Sequence, residues 1–149
     1  MKINKAYDTV FKALVNRKFG LKKFELDQDK VFISPDGFFG FVFCKKGIPF
    51  NLDEIQSADS KLKLQSVVKP ENQLRKTKSF VMLQRIGLIS VFKDVDRKVY
   101  INSKYLNYFE EHAEFYQDEK FPLSLVVIVE NGQIVGAVCP VRYKEEDEE

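Results

Sequence analysis

The chain has 149 residues, of which 44% are hydrophobic and 31% charged, and its net charge is +2. This length and composition are ordinary for one soluble globular domain with a single core. No stretch reaches the roughly 18 uncharged apolar residues of a membrane span, and the N-terminus lacks the apolar region of a signal peptide, so the sequence excludes a membrane partner and predicts a cytoplasmic protein.

The first predicted element is a helix, because the apolar residues near the N-terminus are spaced as on one face of a helix. Residues 4–17 begin with a possible cap at Asn4, and the predicted helix ends at Gly20. The apolar face of this amphipathic helix is formed by Tyr7, Val10, Phe11 and Leu14.

Three short strands are predicted in residues 22–46. The turn signals between them are Asp27-Gln28-Asp29 and Pro35-Asp36-Gly37. In the third strand, Phe39, Phe41 and Phe43 alternate with Gly40 and Val42, so one aromatic face is expected to pack inward. Fourteen Phe and six Tyr with no Trp also favour a sheet-rich core.

The middle of the chain is predicted to contain three further strands and a polar loop. Residues 61–69 alternate apolar and basic side chains, which is typical of a half-buried strand. The apolar positions are Leu62, Leu64 and Val68, and the basic positions are Lys61, Lys63 and Lys69. A polar loop at 70–78 is followed by strands at 79–84 and 87–94.

A second helix is predicted after a short strand at 98–101. Its cap is Asn102 or Ser103, and the apolar spacing continues beyond residue 110. Its buried side is expected to contain Leu106, Phe109 and Ala113.

Residues 122–143 contain two apolar runs joined by Glu130-Asn131-Gly132, which predicts a closing hairpin. The fold class predicted from all elements is α+β, with two helices packed on antiparallel sheet in one domain, 1–143. Residues 144–149 are expected to be a disordered acidic tail.

The sequence also matches itself at a shift of 98 residues. "INKAYDTVF", which starts at Ile3, aligns with "INSKYLNYF", which starts at Ile101, and four of the nine positions are identical. Because each copy is followed by antiparallel strands, two pseudo-repeated halves are predicted. The alternative is an accidental match, since a strand followed by a capped helix favours similar residues in any protein.

Residues 99–143 carry a family resemblance. The segments "VYINSKYLNYFEE" and "FPLSLVVIVENGQIVGAVCPVRY", with the ending Pro140-Val141-Arg142-Tyr143, resemble the final domain of the bacterial and phage DNA sliding clamps, the polymerase processivity factors. The resemblance implies a single clamp-like domain and a non-enzymatic ring around duplex DNA, with helices lining the hole and outer grooves that bind peptides of replication proteins.

Two features depart from the clamp pattern. A ring requires several such domains, whereas this chain has one, so the oligomeric state stays open. The predicted second helix also carries Glu110, Glu111 and Glu114, which would repel phosphates.

Positive charge is concentrated in the first 109 residues, which carry 21 Lys/Arg and 11 Asp/Glu, whereas residues 110–149 carry 3 and 11. Seven cations lie between Lys61 and Arg85, against the single acid Glu71. The predicted DNA-binding residues are Lys5, Lys12, Lys61, Lys63, Lys69, Arg75, Lys76 and Lys78. A solvated sheet face whose lysines discourage aggregation explains the same cations equally well.

No residue pattern predicts catalysis, and no metal or cofactor is expected. His112, the only histidine, is expected on the surface of the second helix. Cys44 and Cys139 lie in apolar runs without metal-ligand spacing and are expected to be buried free thiols. The remaining carboxylate pairs, which a turn and a helix end explain, are Asp94/Asp96 and Glu110/Glu111.

Two functions from different classes are compatible with these features. The first is a clamp-like accessory factor of DNA replication or its regulation, in bacteria or phage, with duplex DNA and replication proteins as partners. The alternative is a stand-alone protein-interaction or inhibitor module that does not bind DNA. The acidic tail is expected to be solubilising, or else to compete with nucleic acid for a basic patch on the same molecule.

Overall fold

The computed structural model describes residues 1–121 and 123–143, which form an α+β fold, as the sequence predicts. The predicted acidic tail at 144–149 lies outside the described residues. The helices are α1 (Ile3–Val15) and α2 (Ser103–Leu106). The strands are β1 (Lys22–Glu25), β2 (Lys30–Ser34), β3 (Phe39–Cys44), β4 (Gln73–Leu83), β5 (Gly87–Lys93), β6 (Lys98–Asn102), β7 (Glu114–Tyr116), β8 (Val126–Glu130) and β9 (Gln133–Val138).

All the described strands join one antiparallel sheet in the order β1-β2-β3-β9-β8-β7-β4-β5-β6. Two meanders, β1–β3 and β7–β9, meet where β3 pairs with β9, and there Gly40 lies opposite Ala137. β4 pairs with β7 only at Gln73 and Leu74 and then continues with β5 and β6. The β4–β6 strands therefore extend the sheet beyond the second meander.

Each face of the sheet carries its own core. On the face that we call the helix side, α1 and α2 pack on the sheet and cover the predicted aromatic row of Phe39, Phe41 and Phe43. The inward packing of that row is confirmed. On the opposite face, the loop side, residues 62–68 pack their apolar side chains against β2, β3, β8 and β9.

The first helix begins at Ile3, one residue before the predicted start, and ends at Val15. Its N-cap is Lys2, without a side-chain cap, so the predicted cap at Asn4 is wrong. Small side chains bring the helix close to the sheet, because the buried residues are Ala6, Val10 and Ala13. Phe11, predicted on the buried face, is 39% exposed.

The three strands predicted in residues 22–46 are confirmed, whereas the strand predicted at 61–69 is wrong. Residues 61–64 belong to no strand, Leu64 has a helical backbone conformation, and a 3-10 turn follows at Gln65–Val67. Burial still alternates, since Leu64 is buried while Lys61 and Lys63 are exposed. A segment that covers a sheet can alternate buried and exposed side chains without joining the sheet, so the pattern alone could not show pairing.

The polar loop predicted at 70–78 is mostly strand. β4 begins at Gln73, so Arg75, Lys76 and Lys78 lie on a strand, with a register shift between Lys76 and Phe80. This part of β4 has the polar composition of a loop because β4 passes beyond β7 and exposes most of its side chains to solvent.

The second helix is much shorter than predicted. Asn102 does cap it, accepting the Lys104 N–H at 3.2 Å, but the helix ends at Leu106. Residues 114–116 form β7, where Phe115 pairs with Ile128 of β8 and with Leu74 of β4. Pairing on both edges of this strand outweighs local helix propensity. His112 therefore lies in an exposed turn, not on a helix.

The closing hairpin is confirmed, although Pro122 lies outside the described residues. Asn131 and Gly132 both have positive φ, 51° and 77°, as a two-residue hairpin turn requires. β8 is buried on both faces, with Val126 and Ile128 in the helix-side core and Val127 in the loop-side core. Burial on both faces explains the unbroken apolar run.

The two proposed halves have similar strand patterns but different helices. α1 precedes the meander β1–β3, and α2 precedes the meander β7–β9, so the sheet order mirrors itself about the β3–β9 pair. However, α1 has 13 residues and α2 has four, and a strand, β6, precedes only α2 among the described residues. The internal repeat stays a prediction.

Candidate functional site

A cleft of about 460 Å³ opens on the helix side between α1 and α2. We call it the helix-side cleft. Its lining residues are Thr9, Lys12, Ala13, Asn16, Lys18, Phe19, Gly20, Pro35, Asp36, Phe39, Lys104, Tyr105 and Tyr108. α1 therefore supplies one wall, α2 and the turn after it supply the other, and the β2–β3 turn closes one end.

Aromatic rings form the floor of the cleft. The rings of Phe39 and Tyr105 stack with centroids 4.3 Å apart, and the Tyr108 ring lies 5.2 Å from Phe39. Side-chain hydrogen bonds fix both tyrosines: Tyr108 Oη lies 2.8 Å from Thr9 Oγ1, and Tyr105 Oη donates to Asp36 Oδ2 at 3.3 Å. At the rim, Phe19 is 97% exposed and offers an unstacked ring.

Burial raises the pKa of the Tyr105 hydroxyl well above its usual value, and the nearby Asp36 carboxylate raises it further. The folded protein therefore keeps this proton at a pH where the unfolded chain loses it. Because the folded-state pKa is raised, we expect the free energy of unfolding to decline as the pH rises through about 10. Urea unfolding at a series of pH values from 8 to 10.5 measures this, and a Tyr105→Phe variant should show a shallower decline. If the free energy of unfolding declines equally steeply in the variant, the Tyr105 hydroxyl is not the cause of the decline.

Cations surround these rings. Lys5 Nζ lies 4.7 Å from the Tyr108 ring centroid and donates to the Asn107 carbonyl at 3.4 Å. Lys104 Nζ lies 5.0 Å from the Tyr105 ring centroid. Both distances are within the range of cation–π contacts. Lys12 and Lys18 add two further charges at the rim.

Among the described residues, one carboxylate brings negative charge to the cleft. Of the described residues that line it, only Asp36 is acidic. Its Oδ1 accepts the Phe38 N–H at 2.8 Å, and its Oδ2 accepts the Tyr105 hydroxyl. The described lining therefore carries three cations and one acid that is already hydrogen-bonded.

The acids that were expected to repel phosphate from the second helix do not lie on it. α2 ends before Glu110, Glu111 and Glu114, and none of the three lines the cleft. Glu114 lies on β7, where Oε2 accepts hydrogen bonds from Gln73 Nε2 and from the Tyr116 hydroxyl of the loop-side core.

The predicted DNA-binding residues lie on two faces of the sheet. Lys5 and Lys12 belong to α1, and Lys76 pairs with Phe92 of the helix-side core, so these three lie on the helix side. Residues 61–69, with Lys61, Lys63 and Lys69, cover the loop side, and Arg75 projects there too. Lys78 lies in the irregular part of β4. The structure does not bring this set together.

Two cations of the helix-side cleft are missing from the predicted set. Lys18 and Lys104 are 86 residues apart in the sequence, and only Lys18 has cations close to it in the chain, at Arg17, Lys22 and Lys23. The sequence does predict a helix cap at Asn102 or Ser103. A residue just after a cap lies in the first turn of its helix, and this is the feature of the sequence from which the position of Lys104 could have been predicted.

Both cysteines are free, as predicted, but their exposure differs. Cys139 is partly buried, and burial together with Asp36 raises the pKa of its thiol. Cys44, at the end of β3, is exposed, so its predicted burial is wrong. We expect a maleimide to label Cys44 well before Cys139 at neutral pH, because the thiolate is the reactive form. Peptide mass spectrometry after short labelling measures both sites, and faster labelling of Cys139 would contradict this expectation.

Among the described residues, no three His, Cys, Asp or Glu side chains come together as a possible metal site. None of the described helices has the length and apolarity needed to cross a membrane. Comparison with protein-family models, with curated proteins and with solved structures gives no match.

Proposed function

We propose that the protein is a non-enzymatic, clamp-like accessory factor of DNA replication or its regulation, in bacteria or phage, and that it binds duplex DNA through the helix-side cleft. The observation that carries the proposal is the grouping of Lys12, Lys18 and Lys104 around an aromatic floor. Cations supply most of the free energy of binding to a phosphate backbone. Aromatic rings beside them offer stacking to any base that becomes unpaired.

The clamp-like part of the proposal draws on two supports. One is the resemblance of residues 99–143 to the final domain of sliding clamps. The other is the mirrored order of the meanders β1–β3 and β7–β9, with one helix before each and both helices on the same side of the sheet. A single domain encircles DNA only as an oligomer, so sedimentation velocity at micromolar concentration is the corresponding test. A monomer under these conditions would leave a clamp-like domain that binds DNA without encircling it.

Charge reversal on the two faces tests the DNA-binding part. The helix-side variant combines Lys12→Glu, Lys18→Glu and Lys104→Glu. The matched control combines Lys61→Glu, Lys63→Glu and Lys69→Glu, which changes the net charge equally on the loop side. With a fluorescent 20-base-pair duplex, we expect the helix-side variant to bind at least tenfold more weakly in about 50 mM salt, and its log–log salt slope to fall by up to about 3.

The control should keep most of the wild-type affinity and slope. Equal losses in both variants would indicate a general charge effect. No binding of the wild-type protein at low salt would reject duplex DNA as the ligand.

The alternative function, a protein-interaction or inhibitor module, is favoured by a different surface. The tip of the β4–β5 hairpin exposes Phe80, Met82, Ile86 and Leu88, and Met82 pairs with Leu88 across the two strands. Adjacent exposed apolar side chains are typical of protein contacts. This function predicts a partner that is retained in about 0.5 M salt and lost in a Phe80→Ser/Met82→Ser variant, together with no salt-sensitive DNA binding.

A further inference from the structure

Three cations form a row across the extended part of the sheet. Arg75 of β4 pairs with Lys93 of β5, and Lys93 pairs with Lys98 of β6. Side chains alternate along a strand, and the neighbours that face the helix-side core are Leu74, Phe92 and Val99. Arg75, Lys93 and Lys98, which we call the cationic row, therefore all project on the loop side.

The row is electrostatically unfavourable without an anion. Directly opposed residues of antiparallel strands lie about 5 Å apart, and like charges at that distance destabilise a sheet. All three side chains are exposed, and within residues 1–121 and 123–143 none of them forms an ion pair. Of the two acids in the adjoining β5–β6 turn, Asp94 pairs with Arg97 and accepts two backbone N–H groups, while Asp96 is exposed.

The last described residues lead the chain to this row. The Val141 N–H donates to the Tyr100 carbonyl at 2.6 Å in an antiparallel bridge. The same register, continued for two residues, places Tyr143 beside Lys98. The Tyr143 ring contacts the Tyr100 ring, with centroids 4.6 Å apart. Tyr143, Lys93 and Lys98 also line one groove of about 260 Å³.

The six residues that follow Tyr143 are Lys144 and then five consecutive acids, Glu145, Glu146, Asp147, Glu148 and Glu149. Six extended residues reach about 20 Å. The row spans two strand spacings, about 10 Å, so the acids have ample length to cross it from the Lys98 end. Their charge complements the row.

We propose that residues 145–149 bind the cationic row, so that the protein covers these loop-side cations with its own acidic segment. Any anionic partner of this face then has to displace the segment. The proposal goes beyond the DNA-binding cleft, because the row lies on the opposite face of the sheet and its occupant belongs to the chain itself.

A double-mutant cycle on thermal stability tests the contact without any DNA. The proteins are the wild type, a variant that ends at Tyr143, a Lys93→Gln/Lys98→Gln variant, and the combination. At an ionic strength of about 10 mM, where screening is weak, we expect the deletion to lower the Tm of the wild type by about 2–4 °C. The deletion should change the Tm of the Lys93→Gln/Lys98→Gln protein little, and its effect in the wild type should vanish in about 1 M salt.

The matched control is a Lys61→Gln/Lys63→Gln background, which removes two loop-side charges away from the row. There the deletion should lower the Tm as much as in the wild type. Equal Tm losses in the wild-type and Lys93→Gln/Lys98→Gln backgrounds would overturn the proposal, as would no loss in the wild type. Neither result bears on whether the helix-side cleft binds DNA.

Discussion

Replacing Gly40 with alanine is expected to lower the free energy of unfolding by about 3 kcal/mol, because position 40 has no room for a side chain. A Cβ there would lie 2.5 Å from the Phe32 ring and 2.6 Å from the Ile33 carbonyl oxygen. The carbonyl belongs to β2, so relief requires a shift of paired backbone. Gly40 also lies in the β3–β9 pairing that joins the two meanders, so the shift would disturb the centre of the sheet.

A second glycine provides the control. Gly47 lies in an open turn with φ +88°, and a Cβ there would meet nothing within 4 Å. Gly47→Ala should therefore cost only the left-handed backbone strain, about 1 kcal/mol. Urea unfolding of both variants measures the difference. Equal costs would show that the close approach at Gly40 does not constrain the sheet.

Replacing Arg97 with methionine is expected to lower the free energy of unfolding by about 3 kcal/mol. The guanidinium of Arg97 forms hydrogen bonds with groups that have little access to water. Nη1 donates to the Asp118 carbonyl at 2.9 Å and Nη2 donates to the Gln117 carbonyl at 2.8 Å. Nε lies 2.9 Å from Asp94 Oδ2, as an ion pair without hydrogen-bond geometry. Arg97 thereby holds the β5–β6 turn against the segment that follows β7.

The exposed Arg85 is the matched control for this variant, since Arg85→Met makes the same chemical change on the hairpin tip. It should alter the free energy of unfolding by less than about 0.5 kcal/mol. An Arg97→Lys variant should fall between the two, because an ammonium group cannot reach both carbonyls with the fixed geometry of a guanidinium. A cost near zero for Arg97→Met would mean that water replaces these bonds.

The elements that the sequence predicts correctly are those whose signal is local. Asn131-Gly132 favours the hairpin turn through its own backbone preferences, and the alternation of Phe39, Phe41 and Phe43 reports a strand with one buried aromatic face. The predictions are wrong where pairing between residues that are distant in the sequence determines the secondary structure. β7 is strand because Phe115 meets Ile128 and Leu74, and residues 61–69 stay unpaired although they alternate as a strand does.

The candidate site was predictable only in part for the same reason. Lys5 and Lys12 are recognisable on the exposed side of a helix, but the face on which Lys61 and Lys63 lie depends on how their segment crosses the sheet. The contribution of Lys104 depends on the position of α2 beside α1, which no short-range pattern encodes. The residue types therefore indicate that the protein binds an anionic partner through lysine and arginine. Which of these side chains lie together could be seen only in the folded structure.

Protection of lysines by DNA tests the central proposal most directly. Brief acetylation of the protein with and without a 20-base-pair duplex, followed by peptide mass spectrometry, reports the accessibility of each amine. We predict that the duplex protects Lys12, Lys18 and Lys104 and leaves Lys61, Lys63 and Lys69 as reactive as in the free protein. Protection confined to the loop-side lysines, or no protection at a DNA concentration that saturates binding, would contradict a helix-side DNA site.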